Sequence, residues 1–284
     1  MSIEKKYVYD RLADKIYGPY SKVQVAVIRG IFCTFKQPFF FDFDKNMTPE
    51  LLNELILAIE NAGFFVYFIT CDLAGGNRGL LNKLGINIEN NVIPNPYDPS
   101  RRISISADVP HLVKLVRNNI VDHGINTPAG RVSKYPFWEL VSNQSGDLKI
   151  GHKISESTLK VKGYERQKVS SASKLLSETV SKGISFLGEK GIILSDDWKS
   201  TANFTLLVDQ WFDVMNSCTF NDKASRRGFK STLYQNEILD KMMDTIKRSR
   251  VGSYKKLLPF QMGIILSCMS IRTLYDDLSS RFGI

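Results

Sequence analysis

The chain has 284 residues, 43% hydrophobic, 11% aromatic and 24% charged, an ordinary globular composition with enough apolar material for a sizeable core. Its 17 Phe and 11 Tyr exclude disorder as the dominant state, and no apolar run of about 18 residues offers a membrane span. Lys and Arg number 38 against 29 Asp and Glu, and the net charge of +9 suits a polyanionic partner.

Length alone suggests two folding units. Met1-Ser2-Ile3-Glu4-Lys5-Lys6 has no apolar stretch behind it, so no secretory signal is expected. The cysteines, Cys33, Cys71, Cys218 and Cys268, form no C-x-x-C pair, and His111, His123 and His152 are scattered. A zinc site needs such ligands at short spacing, so the cysteines read as reduced, buried thiols of a cytosolic or nuclear protein. The charge is uneven. Residues 1–140 hold 16 basic and 14 acidic side chains, whereas 141–284 hold 22 and 15 and carry the run Lys247-Arg248-Ser249-Arg250 and the pair Lys255-Lys256. A basic run of this kind is usually a solvated face.

In chain order, Ile3–Tyr9, Val23–Ile28 and Gln37–Phe43 read as strands, the middle one rich in β-branched residues. Thr48-Pro49 predicts a helix start, with Thr48 as cap and Pro49 in the first turn. Leu51, Leu52, Leu55, Ile56 and Ile59 carry that helix to Gly63. Phe64–Thr70 is a continuous apolar run, expected as a central strand buried on both faces. A helix from Asn77 to Leu84, a loop over Asn90–Arg101, a strand over Arg102–Ser106 and a helix over Pro110–Asn119 follow. The order β-β-β-α-β-α-β-α implies an antiparallel meander followed by parallel crossovers, a mixed α/β sheet of the ribonuclease H-like kind. From about Phe137 strand-like alternation ceases. Ser155–Lys160, Val169–Lys182, Ala202–Asn216 and Gln235–Ile246 read as helices, so residues 1–124 are expected as the sheet domain and 125–284 as a mostly α-helical one.

Asp72 directly follows the apolar strand, at the sheet edge where ligands of open α/β sheets collect. A bare helix or turn cap is the alternative. Asp108, before Pro110, reads as the cap of its helix, with a His111–Asp108 acid/base pair as the second reading. In Trp211-Phe212-Asp213-Val214-Met215-Asn216, Asp213 and Asn216 share a helix face. An Asp carboxylate can accept both N–H groups of a guanine edge, Asn adds a donor and an acceptor, and Phe212 offers a stacking ring. A plain amphipathic helix explains the same spacing. Lys153 and Lys168 could supply charge for phosphates.

At this point the sequence resembles the P-element transposases and their THAP-domain relatives. Met1-Ser2-Ile3 is similar to the tail of a D-E-M-x-I motif. Thr70-Cys71-Asp72 with Asn77 resembles the motif of the second catalytic aspartate, and Asp108-Val109-Pro110-His111-Leu112-Val113-Lys114 with Arg117-Asn118 resembles a D-x-P-H-L-x-K-x-x-R-N block. Phe212-Asp213-x-x-Asn216 resembles a guanine-reading motif, and Pro259-Phe260-Gln261-Met262-Gly263 the block before the catalytic core resumes.

The resemblance implies a ribonuclease H-like domain interrupted by a helical GTP-binding insertion, acting in DNA transposition and recombination in the nucleus. It implies GTP held by Lys153, Lys168, Val169, Ser177, Phe212, Asp213 and Asn216, with Asp72 as a catalytic, magnesium-binding carboxylate. Its implied partners are DNA at transposon ends and further copies of the chain, with no membrane. The family's first catalytic aspartate would precede Met1 and its last glutamate would follow Ile284. The expectation is therefore a chain without strand-transfer activity of its own, or alternatively a truncated, host-adopted GTP- and DNA-binding factor acting like a repressor.

Overall fold

The computed structural model describes residues 2–143, 150–216 and 226–283, with side chains from Tyr7 onward. Met1 and Cys218 lie outside the described residues. The chain divides into two compact units, Met1–Val66 with Ala74–Gly85 and Pro94–Arg101, and Tyr67–Leu73 with Ile86–Ile93 and Arg102–Ile284.

In the first unit β1 (Ser2–Asp10), β2 (Lys15–Arg29) and β3 (Lys36–Phe43) form the expected antiparallel meander. The β1–β2 turn is fixed by the Asp10 carboxylate, which accepts from the N–H groups of Leu12 and Ala13. The register of β2 and β3 shifts between Ala26 and Val27, beside Pro38, which has no N–H to give a ladder. Helix α1 (Pro49–Asn61) begins as the residues dictate: Thr48 Oγ1 accepts from Leu51 N at 3.2 Å and Pro49 sits in the first turn. A second helix, α2 (Gly75–Lys83), completes the unit's regular elements.

The apolar run Phe64–Thr70 is not one buried strand. Phe64 and Phe65 are 44% and 56% exposed, and the strand is only β4 (Phe68–Cys71), half-buried with Thr70 exposed. The cause is local. The buried Glu60 carboxylate at the end of α1 takes the Val66 N–H at 2.8 Å, Phe64 stacks on Phe35 and Phe65 lies under the Arg101 guanidinium. These contacts claim the first half of the run before a ladder can form.

The second unit holds two small sheets. In the first, β6 (Arg102–Ala107) lies between β4 and β5 (Val92–Pro94), and β4 and β6 run parallel with Cys71 opposite Ala107. The stretch expected as a loop therefore contains a strand, anchored by Ile93 in the core. Next come α3 (Val109–Asp122), then β7 (Ile125–Thr127) and β8 (Gly130–Val132), which β9 (Arg250–Val251) joins on the other side of β7. The helices are α4 (Tyr135–Ser142), α5 (Glu156–Leu159), α6 (Val169–Leu175), α7 (Glu178–Glu189), α8 (Trp198–Asn216), α9 (Leu233–Arg248) and α10 (Pro259–Phe282), with a 3-10 turn at Gly163–Gln167. The single helix expected over Val169–Lys182 is two. The first ends at Leu175, and Ser177 becomes the N-cap residue of α7, its hydroxyl donating back to Lys174 O.

Helix α10, which the sequence reading did not place, covers β6. It does so with small polar residues: Ser267 Oγ donates to Ala107 O at 3.2 Å and Ser106 Oγ donates to Ser267 Oγ at 3.1 Å. A Cβ at Gly263 would stand 2.6 Å from Leu73 Cδ1 and 2.8 Å from Leu112 Cδ2, so any other residue there would force these side chains to shift. The core around these elements is apolar and closed, with Leu112, Val116, Phe137, Trp211, Ile264 and Cys268 fully buried. No helix among the described residues is long and apolar enough to cross a membrane.

Candidate functional site

Two groups of side chains carry chemistry. The first lies at the carboxyl ends of β4 and β6. Asp72 follows β4 and Asp108 follows β6, and Asp108 N donates to Cys71 O at 2.9 Å, so parallel pairing delivers both carboxylates to one edge. Asp108 occupies the N-cap position of α3 but makes no side-chain cap bond, which corrects its reading as a helix cap. The neighbours register the charge. Burial pushes the Cys71 thiol up to about 11, and Asp72 and Asp108 add to it. Burial, then Lys114, lowers His111, opposed by the same two carboxylates.

Hard oxygen donors of this kind suit magnesium, which is commonly held by one or two carboxylates together with a substrate phosphate. Among the described residues no three His, Cys, Asp or Glu side chains converge on one metal position.

The second group lies where α7 and α8 pack. Ser177 is 5% exposed at the start of α7, and Asp209 of α8 accepts from the next N–H, that of Glu178. One turn further along α8 stands Asp213, which accepts from Arg226 Nε at 3.0 Å. Phe212 is partly buried against the core and Asn216 is exposed. Lys168 and Val169 lie one short helix earlier. Lys168 is gripped by Glu165 and stands 5.2 Å from the Tyr164 ring. The turn bearing Glu165 is held in turn by Arg117, a fully buried arginine of α3 whose Nη2 donates to the carbonyls of Glu165 and Arg166. Lys153 is exposed before α5, and among the described residues no hydrogen bond or ion pair joins it to the others. The structure thus brings Ser177 to the Asp209–Asp213 side of α8, places Lys168 and Val169 at the far end of α6, and leaves Lys153 apart.

Asp209 was missed by sequence reasoning, and Arg117 entered it only as part of a motif block. Asp209 had a signal, for it precedes Asp213 by four residues and so shares its face. Burial, then the neighbouring Asp213 charge, raises Asp209 to about 6. A carboxyl raised on folding favours the native state below its unfolded value of 3.8, and that stability is lost as pH climbs through about 6. Asp209→Asn keeps an acceptor for Glu178 N–H without the charge. It should raise the neutral-pH melting temperature by a few degrees and flatten the stability profile between about pH 4 and 6, as followed by circular dichroism. An unchanged profile would remove Asp209 as its cause.

The chain matches known proteins along its length. Residues 110–231 match the family model described as "TNP-like, GTP-binding insertion domain". The chain is 36% identical over 287 aligned positions to the "Transposable element P transposase" of Drosophila melanogaster, covering 99% of this chain and 38% of that one. It is 24% identical to "DNA transposase THAP9" of Homo sapiens, over 87% of this chain and 29% of that one. Among solved structures, the "Drosophila P element transposase strand transfer complex" matches with a TM-score of 0.94 and 34% identity, covering 100% of this chain and 65% of that one. The chain spans less than two fifths of the fly relative's length and less than a third of the human one's. With 36% identity over 99% of its length to one relative and a TM-score of 0.94 to the other, the chain is similar to the P element transposases along nearly every residue.

Proposed function

We propose that this chain is the GTP- and DNA-binding part of a transposase, working in the nucleus on transposon ends as a homo-oligomer. In this reading residues 1–124 belong to a ribonuclease H-like core, with its meander followed by parallel strands, and 125–284 form the inserted helical domain. The carrying observation is the family match over residues 110–231, which contain the α7–α8 group. Lys153 and Lys168 face the phosphates, Val169 and Ser177 line the nucleotide, and Phe212 stacks on the base. Asp213 and Asn216 read the guanine edge, the base's N–H groups taking the place of the Arg226 donor. Asp72 holds magnesium at the sheet edge, where the ion would neutralise phosphate charge. A second reading is a GTP- and DNA-binding, repressor-like factor that performs no strand transfer.

Titration calorimetry with GTP and ATP tests the nucleotide site common to both readings. GTP should bind more tightly than ATP. Asp213→Ala should weaken GTP by about 10- to 100-fold, the cost of losing a charged hydrogen-bond acceptor, and leave ATP unchanged. Equal affinities, or an indifferent variant, would discard the site.

A further inference from the structure

The basic segments around β9 do not belong to either group above. The small sheet orders them. On one face, Val132, Ile125 and Val251 stand opposite one another across β8, β7 and β9, all fully buried. The next rung points the other way, as strand alternation requires. It consists of Arg131, Asn126 and Arg250, directly paired and all exposed. Two strand spacings set the arginines about 10 Å apart. Lys247 precedes this rung at the end of α9, and Lys255 and Lys256 follow it, all exposed. The turn after β9 is seated by Tyr254, whose ring meets His123 edge-on at 5.8 Å.

Several arginines of the same unit are matched to carboxylates, as in Arg102–Asp277, Arg166–Asp122 and Arg272–Asp240. Arg131, Lys247, Arg250, Lys255 and Lys256 have no carboxylate partner among the described residues. The Arg250 guanidinium is instead steadied by the carbonyls of Lys247 and Ser249, both bonded to Nη1. An adjoining cleft of about 910 Å³ is lined by Arg131 and Lys199 but also by Asp196 and Asp197, which makes it a poor host for a polyanion. The cationic path runs over the sheet.

We propose that the outer face of β8-β7-β9 binds the sugar–phosphate backbone of DNA, with Arg131 and Arg250 on phosphates and Asn126 between them. On a strand that advances about 3.4 Å per nucleotide, the arginine pair spans about three nucleotides. A flat three-stranded face with two charges and no apolar element fits contacts that position DNA without reading bases. DNA as the polyanion rests on the proposed function; the cationic surface itself does not.

The test is fluorescence anisotropy of a labelled mixed-sequence DNA duplex across a salt series. For Arg131→Gln/Arg250→Gln the magnitude of the log–log salt slope should fall by about 2, one unit for each lost phosphate contact, with the circular dichroism melt unchanged. Arg131→Lys/Arg250→Lys should restore most of the slope, since a phosphate needs charge and not a fork. An unaltered slope and affinity in the glutamine variant would overturn the surface while leaving DNA binding intact. Absence of salt-dependent DNA binding by the unsubstituted chain would overturn both. Tighter binding of an RNA duplex through the same arginines would overturn DNA as the partner.

Discussion

Glu60→Ala is expected to cost the first unit about 3 kcal/mol, because it removes two hydrogen bonds of a buried guanidinium that keeps the Asp98 carboxylate at Nε. The Glu60 and Arg101 side chains are 1% and 7% exposed, with Nη2 to Oε2 at 2.6 Å and Nη1 to Oε1 at 3.0 Å. Burial works to raise the Glu60 carboxyl, but Arg101, the Val66 N–H and the Asn95 amide outweigh it and hold the group below the usual range. With its pKa depressed on folding, Glu60 contributes stability that is full above the ordinary carboxylate range and lost as pH falls through the folded value. The carboxylate ends α1, fixes Val66 and fixes Asn95 at 2.7 Å, so its loss releases three segments at once. Urea denaturation of the variant should show a lower midpoint. Replacing both partners with apolar residues, as in Glu60→Leu/Arg101→Met, should recover much of the loss. If Glu60→Ala unfolds like the unsubstituted chain, the pair is not what holds these segments together.

Trp211→Ala is expected to destabilise the second unit by about 3–5 kcal/mol. Trp211 is fully buried and its indole N–H donates to Cys268 Sγ at 3.2 Å, tying α8 to α10. Burial pushes the Cys268 thiol up to about 12, so the sulfur stays neutral and the contact does not titrate at physiological pH. Truncation would empty the junction immediately before Phe212 and Asp213. GTP affinity should therefore fall together with the melting temperature, whereas Trp211→Phe should lose less of both. Full stability in the alanine variant would show that the junction repacks without the indole.

Much of the secondary structure was legible because its causes are local. Thr48-Pro49 announces α1 by capping chemistry, and the β-branched run Val23–Ile28 announces β2 by sterics. What escaped depends on distant partners. The run Phe64–Phe65 carries a strand's composition, but Glu60 and Arg101 divert it. Helix α10 meets β6 through the hydroxyls of Ser267 and Ser270, a partnership that no local pattern encodes. Likewise Asp72 could be placed at a strand end from sequence. The neighbouring position of Asp108 depends on the register of β4 against β6, which no local pattern encodes. Asp209 was visible as a position but not as a buried charge, since its burial comes from α7 packing across it.

The seal of α10 on β6 bears on the order in which the chain is made. Ser267 and the Ala107 carbonyl it meets are 160 residues apart, so the strand that delivers Asp108 is synthesised long before the helix that covers it. Closing so long a loop adds little entropy beyond that of a moderate one, but contacts of such separation form late. On the ribosome β6 would wait, its helix-facing side open, until β7 through α9 had emerged. A co-translational partner or chaperone that shields β6 would act in that interval.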